Sequence, residues 1–172
     1  RPVREIVYAT EPIDTTFANI IMQYPDITQI YYTDSNSYAR VYPPFDVRLN
    51  MEPKMNLQDF NFYYTADKLH NPGKSAVWIP HPYIDPAGKG WMVSVLAPVY
   101  NGDALLGVAG ADITTKTLSA GYVRLFNCAV IIDNLGSIVC AQNQALTILS
   151  IPPLNDHKYL STIKKDQLRQ EE

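Results

Sequence analysis

Asp112 closes the apolar run LLGVAGAD (105–112). A carboxylate at the end of a buried strand is costly unless a cation, backbone N–H groups or an edge location answers it. Alternation along a strand puts Asp112 on the same face as Val108 and Gly110. Tyr83 and Asp85, in PYID, begin a connection two strands earlier, and in an antiparallel meander that point lies at the same sheet edge as Asp112. Tyr63, Tyr64 and Trp78 are then candidates for the walls. Two carboxylates facing aromatic rings suit a cationic guest, through ion pairing and cation–π contact. The same residues also have a plainer reading, in which Asp112 caps the turn into TTKTL and Asp85 makes an Asx-type turn.

Catalytic chemistry finds less support. His70, His81 and His157 show no metal-ligand spacing with another His or Cys, so no metal is expected. The serines lack a G-x-S-x-G setting. The glycines of GVAGADIT (107–114) sit inside a strand pattern without a phosphate-binding Lys, and read as positions of close sheet packing. Nothing fixes the separation that a hydrolase pair of Asp85 and Asp112 would need. No haem or flavin ligand stands out either. A non-enzymatic chain without a cofactor is the expectation.

Composition narrows the class. The chain has 172 residues, 14 Lys+Arg against 17 Asp+Glu, a net charge of −3, 47% hydrophobic and 18% charged residues. That is too apolar for a disordered chain, and it has no basic run with which to neutralise nucleic-acid phosphates. No stretch nears the ~20 apolar residues that cross a bilayer, and no signal peptide precedes Arg1-Pro2, which suits an excised or mature fragment. Any membrane attachment is expected through segments outside this chain. With 12 Tyr against 5 Phe, much of the aromatic surface carries a hydroxyl, as in pockets and interfaces. Cys128 and Cys140 flank CAVIIDNLGSIVC, a hairpin pattern. A cross-strand disulfide and two buried thiols both remain open.

The elements that must position these groups can be read in order. Residues 11–24 form an amphipathic helix, with Thr10 as cap, Pro12 in the first turn and Pro25 as stop. ITQIYYT (27–33) and YARVY (38–42) make a hairpin in which Tyr38, Arg40 and Tyr42 share a face. Residues 43–60 read as a long loop, of a length that is usually functional. NFYYTADKLH (61–70) reads as a short helix. Strands follow at 75–81, 91–100 and 105–114, the last two joined by Asn101-Gly102-Asp103. A helix before an antiparallel meander predicts an α+β domain with a central antiparallel sheet and flanking helices. The pattern then restarts with TKTLSAGYVRLF, the 128–140 hairpin and an amphipathic tail at Leu160, Ile163 and Leu168. A hairpin plus a helix buries its apolar face poorly, so residues 119–172 read as an incomplete second module.

The run WIPHPYIDPAGKGWMVSVLAPVYNGDALLGVAGADITTKTL (78–118) resembles the signature of double Cache sensor domains. These are extracytoplasmic, PAS-like ligand-binding regions of chemoreceptors, histidine kinases and cyclic-dinucleotide enzymes. The likeness rests on Pro82-Tyr83-Ile84-Asp85, Ala97-Pro98-Val99-Tyr100, Asn101-Gly102 and Gly107-Val108-Ala109-Gly110-Ala111-Asp112-Ile113. It implies residues 1–118 as a membrane-distal module lacking its long N-terminal helix, and 119–172 as part of a proximal one. It also implies ligand contacts at Tyr83, Asp85 and Asp112, and at Tyr63 and Tyr64 where the family often has Trp-Tyr. In amino-acid-binding members, an Arg two residues before that pair grips the ligand carboxylate. Here Asn61 stands there, which removes the bidentate partner. Arg40 is the candidate substitute. The resemblance thus implies an extracytoplasmic sensor for an amine-type or amino-acid-like small molecule, with a homodimer through the missing helix as a further partner. Its alternative is a structural interaction module, such as the Cache-like domains of calcium-channel accessory subunits.

Overall fold

The computed structural model describes residues 3–46, 51, 54–133, 136 and 138–150. Helix α1 (Val3–Thr10) and helix α2 (Pro12–Gln23) are separated only by Glu11, which keeps helical dihedrals of φ −54° and ψ −40°. The helix expected behind a Thr10 cap is therefore preceded by a further helix that starts already at Val3. Thr10 does not cap. Its hydroxyl donates to the Ile6 carbonyl at 2.7 Å, the back-bond of a threonine inside a helix. Pro12 is tolerated because the first turn needs no proline N–H.

Six strands form one antiparallel sheet: β1 (Gln29–Asp34), β2 (Ala39–Tyr42), β3 (Val77–Trp78), β4 (Tyr83–Ile84), β5 (Trp91–Asn101) and β6 (Ala104–Thr114). Their order is β2-β1-β6-β5-β3, with β4 also paired to β5. The long β5–β6 hairpin matches the alternating pattern within a residue at each end. The strand expected at 75–81 shrinks to two residues, because Pro80 and Pro82 cannot donate to a ladder. The register sets Asp112 beside Gln29 on one side and Ser94 on the other, and Gly110 beside Tyr31. A Cβ at Gly110 would lie 2.2 Å from the Tyr31 ring, so only glycine lets the ring lie against the strand.

Between β2 at one edge and β3 at the other, the chain crosses the sheet face. It carries a 3-10 turn at Leu57–Asp59 and helix α3 (Asn61–Tyr64). The core forms beneath this crossing from Tyr31, Leu57, Phe60, Phe62, Met92, Leu96 and Val108. Phe60 and Phe62 stack at 5.2 Å, and Tyr31 meets Phe62 edge-on at 6.0 Å. Helix α3 ends well before residue 70. Asp67 Oδ1 accepts the N–H groups of Leu69 and His70, both at 2.8 Å, and holds them in a turn.

Beyond the sheet, helix α4 (Thr115–Gly121) is capped by Thr114, whose Oγ1 accepts from Thr117 N at 2.9 Å. Asp112 is therefore not the cap. Strands β7 (Val130–Ile132) and β8 (Ile138–Ala141) form a separate hairpin, followed by helix α5 (Asn143–Ile148). Cys140 sits across from Ile131, and Cys128 is exposed three positions before it. Both thiols are free, so the disulfide alternative falls away. His157 and the tail at Leu160, Ile163 and Leu168 lie outside the described residues. Among the described residues no helix is long and apolar enough to cross a membrane.

Candidate functional site

The crossing segment and the sheet enclose a cavity of about 250 Å3. This is below the roughly 300–1,000 Å3 of drug-sized sites, a space for a small metabolite. Its polar end is made by Gln29 and Tyr31 of β1, Asp112 of β6, Tyr83 of β4 and the adjoining Asp85. Val41, Phe45, Met51, Leu57 and Phe62 make the apolar remainder. The convergence of Tyr83, Asp85 and Asp112 expected from the meander is what the sheet produces.

Asp112 is fully buried at 0% exposure. Its Oδ2 accepts from Gln29 Nε2 at 2.6 Å, while Oδ1 has no hydrogen-bond partner among the described residues. Gln29 Oε1 and the Tyr31 hydroxyl are likewise buried and unpartnered. Such groups cost about 1–3 kcal/mol each when left unpaired, so a wall bearing three of them is built to receive donors. Tyr83 is already engaged, its hydroxyl bonded to Ser94 Oγ at 2.9 Å.

Burial pushes the Asp112 carboxyl up to about 7, and the negative charge of Asp85 adds to the rise. The nearby Ser94 hydroxyl, the Gln29 amide and the Tyr31 hydroxyl act against it. The Tyr31 and Tyr83 hydroxyls are raised well above the ordinary tyrosine value, first by burial and then by the charge of Asp112. The site thus carries excess acceptor capacity and penalises negative charge, which favours a guest that brings positive charge and several N–H groups.

Asp85 is the weaker partner. Its carboxylate accepts from Ala87 N at 3.1 Å and Lys89 N at 3.2 Å, the Asx-type turn that was the plainer reading of this residue. It lines the cavity and adds negative potential, but its oxygens are answered by the main chain.

Several expected wall residues lie elsewhere. Trp78 is 59% exposed on the two-residue edge strand and does not reach the cavity. Tyr63 and Tyr64 are buried in the core but off the wall, where burial pushes both hydroxyls up to about 12. The third aromatic of α3, Phe62, faces the cavity instead. Asn61 is 2% exposed, with both amide atoms unpartnered, and it too is absent from the wall. Arg40 points to the helices and cannot take the place of the family arginine. Among the described residues no Lys, Arg or His lines the cavity, and no group of three His, Cys, Asp or Glu is placed to hold a metal. Gln29 and Tyr31 escaped sequence reading. The one available signal was a polar residue opening an otherwise apolar strand.

An antiparallel sheet with flanking helices matches the fold of Cache-type ligand-binding domains of chemoreceptors. No protein-family model and no curated protein matches the chain. Solved structures do. The ligand-binding domain of the Pseudomonas fluorescens chemoreceptor CtaA, in complex with L-leucine, is 18% identical with a TM-score of 0.57 over 73% of this chain and 51% of that one. The domain of the Campylobacter jejuni chemoreceptor Tlp3, in complex with 4-methylisoleucine, is 15% identical with a TM-score of 0.60 over 85% and 54%. That of the Pseudomonas aeruginosa amino acid chemoreceptor PctC, in complex with GABA, is 18% identical with a TM-score of 0.58 over 86% and 74%. The chain spans about half the length of the first two domains.

Proposed function

We propose that this chain is the ligand-sensing part of an extracytoplasmic receptor of double Cache type, and that its cavity binds a small primary amine or an amino-acid-like molecule by its ammonium group. The role is binding, not catalysis. The observation that carries the reading is the Oδ1 of fully buried Asp112, which has no partner among the described residues and lines one cavity with Gln29 and Tyr31, whose Oε1 and hydroxyl also have none there. An ammonium has three donors and a positive charge, and these three acceptors answer it. The rings of Tyr31, Tyr83 and Phe62 surround the same space. Without a cationic side chain on the described wall, a carboxylate-bearing guest gains less here than an uncharged tail does.

A thermal-shift screen of primary amines and amino acids tests this. At least one amine is expected to raise the melting temperature of the wild type, and Asp112→Asn, which keeps the shape, is expected to abolish the rise. Binding requires ionised Asp112, so affinity is expected to fall about tenfold for each pH unit below 7. A flat response across the whole library would overturn the reading.

A further inference from the structure

Strand β2 has two working faces. Ala39 and Val41 belong to the cavity wall, as do Pro44 and Phe45 just beyond the strand. Arg40, between them, points the other way. Its Nε donates to Thr10 Oγ1 at 3.0 Å and to the Tyr38 hydroxyl at 3.1 Å. One terminal nitrogen donates to the Val7 carbonyl at 2.8 Å and the other pairs with Asp14. Val7 and Thr10 belong to α1, and Asp14 to the first turn of α2. A single guanidinium fork therefore grips both helices from a strand whose opposite face touches the cavity. The Thr10 hydroxyl, 2.8 Å from that of Tyr38, closes the cluster. The Arg40 side chain is only 13% exposed, although its partner Asp14 is 48% exposed, so the guanidinium end of the pair is the shielded one.

The strand is also a short edge element. It is four residues long, it is outermost in the sheet, and among the described residues its only ladder is with β1. Short edge elements with few backbone bonds open and move at lower cost than the strands inside a sheet.

We propose that Arg40 couples the cavity to the helix pair. An occupant pressing on Ala39, Val41 and Phe45 displaces β2, and Arg40 on the reverse face carries that displacement to α1 and α2 together. The coupling rests on the cavity being a ligand site, and a guest drives it only by preferring one position of β2 over another. Arg40 is a positioning residue, since it touches no guest.

The test is a four-protein cycle read by amide hydrogen exchange over residues 3–23, in wild type, Val41→Ala, Arg40→Gln and the double variant. Val41→Ala loosens the cavity wall without touching either helix. In the wild-type background it is expected to change exchange in both helices several-fold. In the Arg40→Gln background the helices exchange faster throughout, and Val41→Ala is expected to add nothing. An equal Val41 effect with and without Arg40, or no effect in either, would overturn the coupling. Should Arg40→Gln not fold, Arg40→Lys keeps the charge, loses the fork and serves in the same cycle. A second arm adds 3-methylbutylamine. Exchange in the helices is expected to respond in the wild type and not in Arg40→Gln, with the thermal shift retained in both. If this amine gives no thermal shift in the wild type, that counts against the ligand reading, and the four-protein cycle alone decides the coupling.

Discussion

The sheet module and the hairpin unit that follows it solve opposite problems. In the sheet, Met92, Leu96 and Val108 are fully buried, and the polar atoms left without partners at Gln29, Tyr31 and Asp112 lie behind the wall of a cavity. In the hairpin unit, Val123, Val139, Cys140, Ala145 and Leu146 make a small core, while Leu125, Phe126, Ile132 and Ile148 are each more than half exposed. Six strands under a crossing segment bury enough apolar area to carry the cost of several unanswered polar groups. Two strands and a short helix do not even cover their own apolar side chains. The difference lies in packing: both regions hold a buried polar atom without a partner among the described residues, Gln142 Oε1 in the hairpin unit, but only the sheet gathers several of them at one cavity. The two regions are joined by His81 Nδ1 and Asp133 Oδ2, 2.8 Å apart.

The contrast can be broken or sharpened by experiment. The largest effect is expected from acidity acting on Asp112. In the folded state it holds its proton up to about pH 7, whereas the unfolded chain loses it near 3.8. The stability linked to that proton is complete below the lower value and is lost as pH rises through the upper one. The loss is on the order of 4 kcal/mol. Urea midpoints measured on either side of that window should show it in the wild type and not in Asp112→Asn. Equal slopes in the two proteins would refute the burial argument.

Gly110→Ala comes next. Its new methyl would lie 2.2 Å from the Tyr31 ring, far inside van der Waals contact, and a loss of about 3 kcal/mol is expected from overpacking. In the hairpin unit's leading helix, Gly121→Ala meets nothing within 4 Å. There a change of no more than about 1 kcal/mol, in the stabilising direction, is expected from helix propensity. Denaturant melts of the pair would show whether tight backbone approach is confined to the sheet. The smallest effect belongs to His81→Ala, expected to leave the main melting transition within about 0.5 kcal/mol. It should nevertheless speed proteolysis within 128–150, because one of the contacts between the regions is cut while others, such as Tyr122 to Asp26, remain. Unchanged cleavage there would mean that the hairpin unit is held by other contacts.

What sequence made legible follows the range of the signal. Alternation along β5 and β6 is local, so those strands, and the shared face of Val108, Gly110 and Asp112, could be read directly. Gln29 could not, because its bond to Asp112 spans 83 positions and depends on a register that only the folded sheet defines. The choice among Phe62, Tyr63 and Tyr64 was beyond reach for a related reason. In a helix of four residues each step turns the side chain by about 100°, and packing alone decides which ring meets the cavity. Arg40 looked available as a guest's counter-ion because nothing local marks a strand's reverse face as occupied. Most of its partners sit in two successive helices, the first of which a threonine and a proline disguised.

The Gln29 carboxamide adds one more property. A half-turn about its last bond exchanges oxygen for nitrogen without changing its outline. As it stands, the amide feeds a hydrogen to ionised Asp112 and keeps its oxygen in reserve. With Asp112 protonated, the turned amide accepts that hydrogen and offers two of its own. The same outline would then present hydrogens where it had presented an oxygen, so the proton on Asp112 sets which face of the amide the cavity meets.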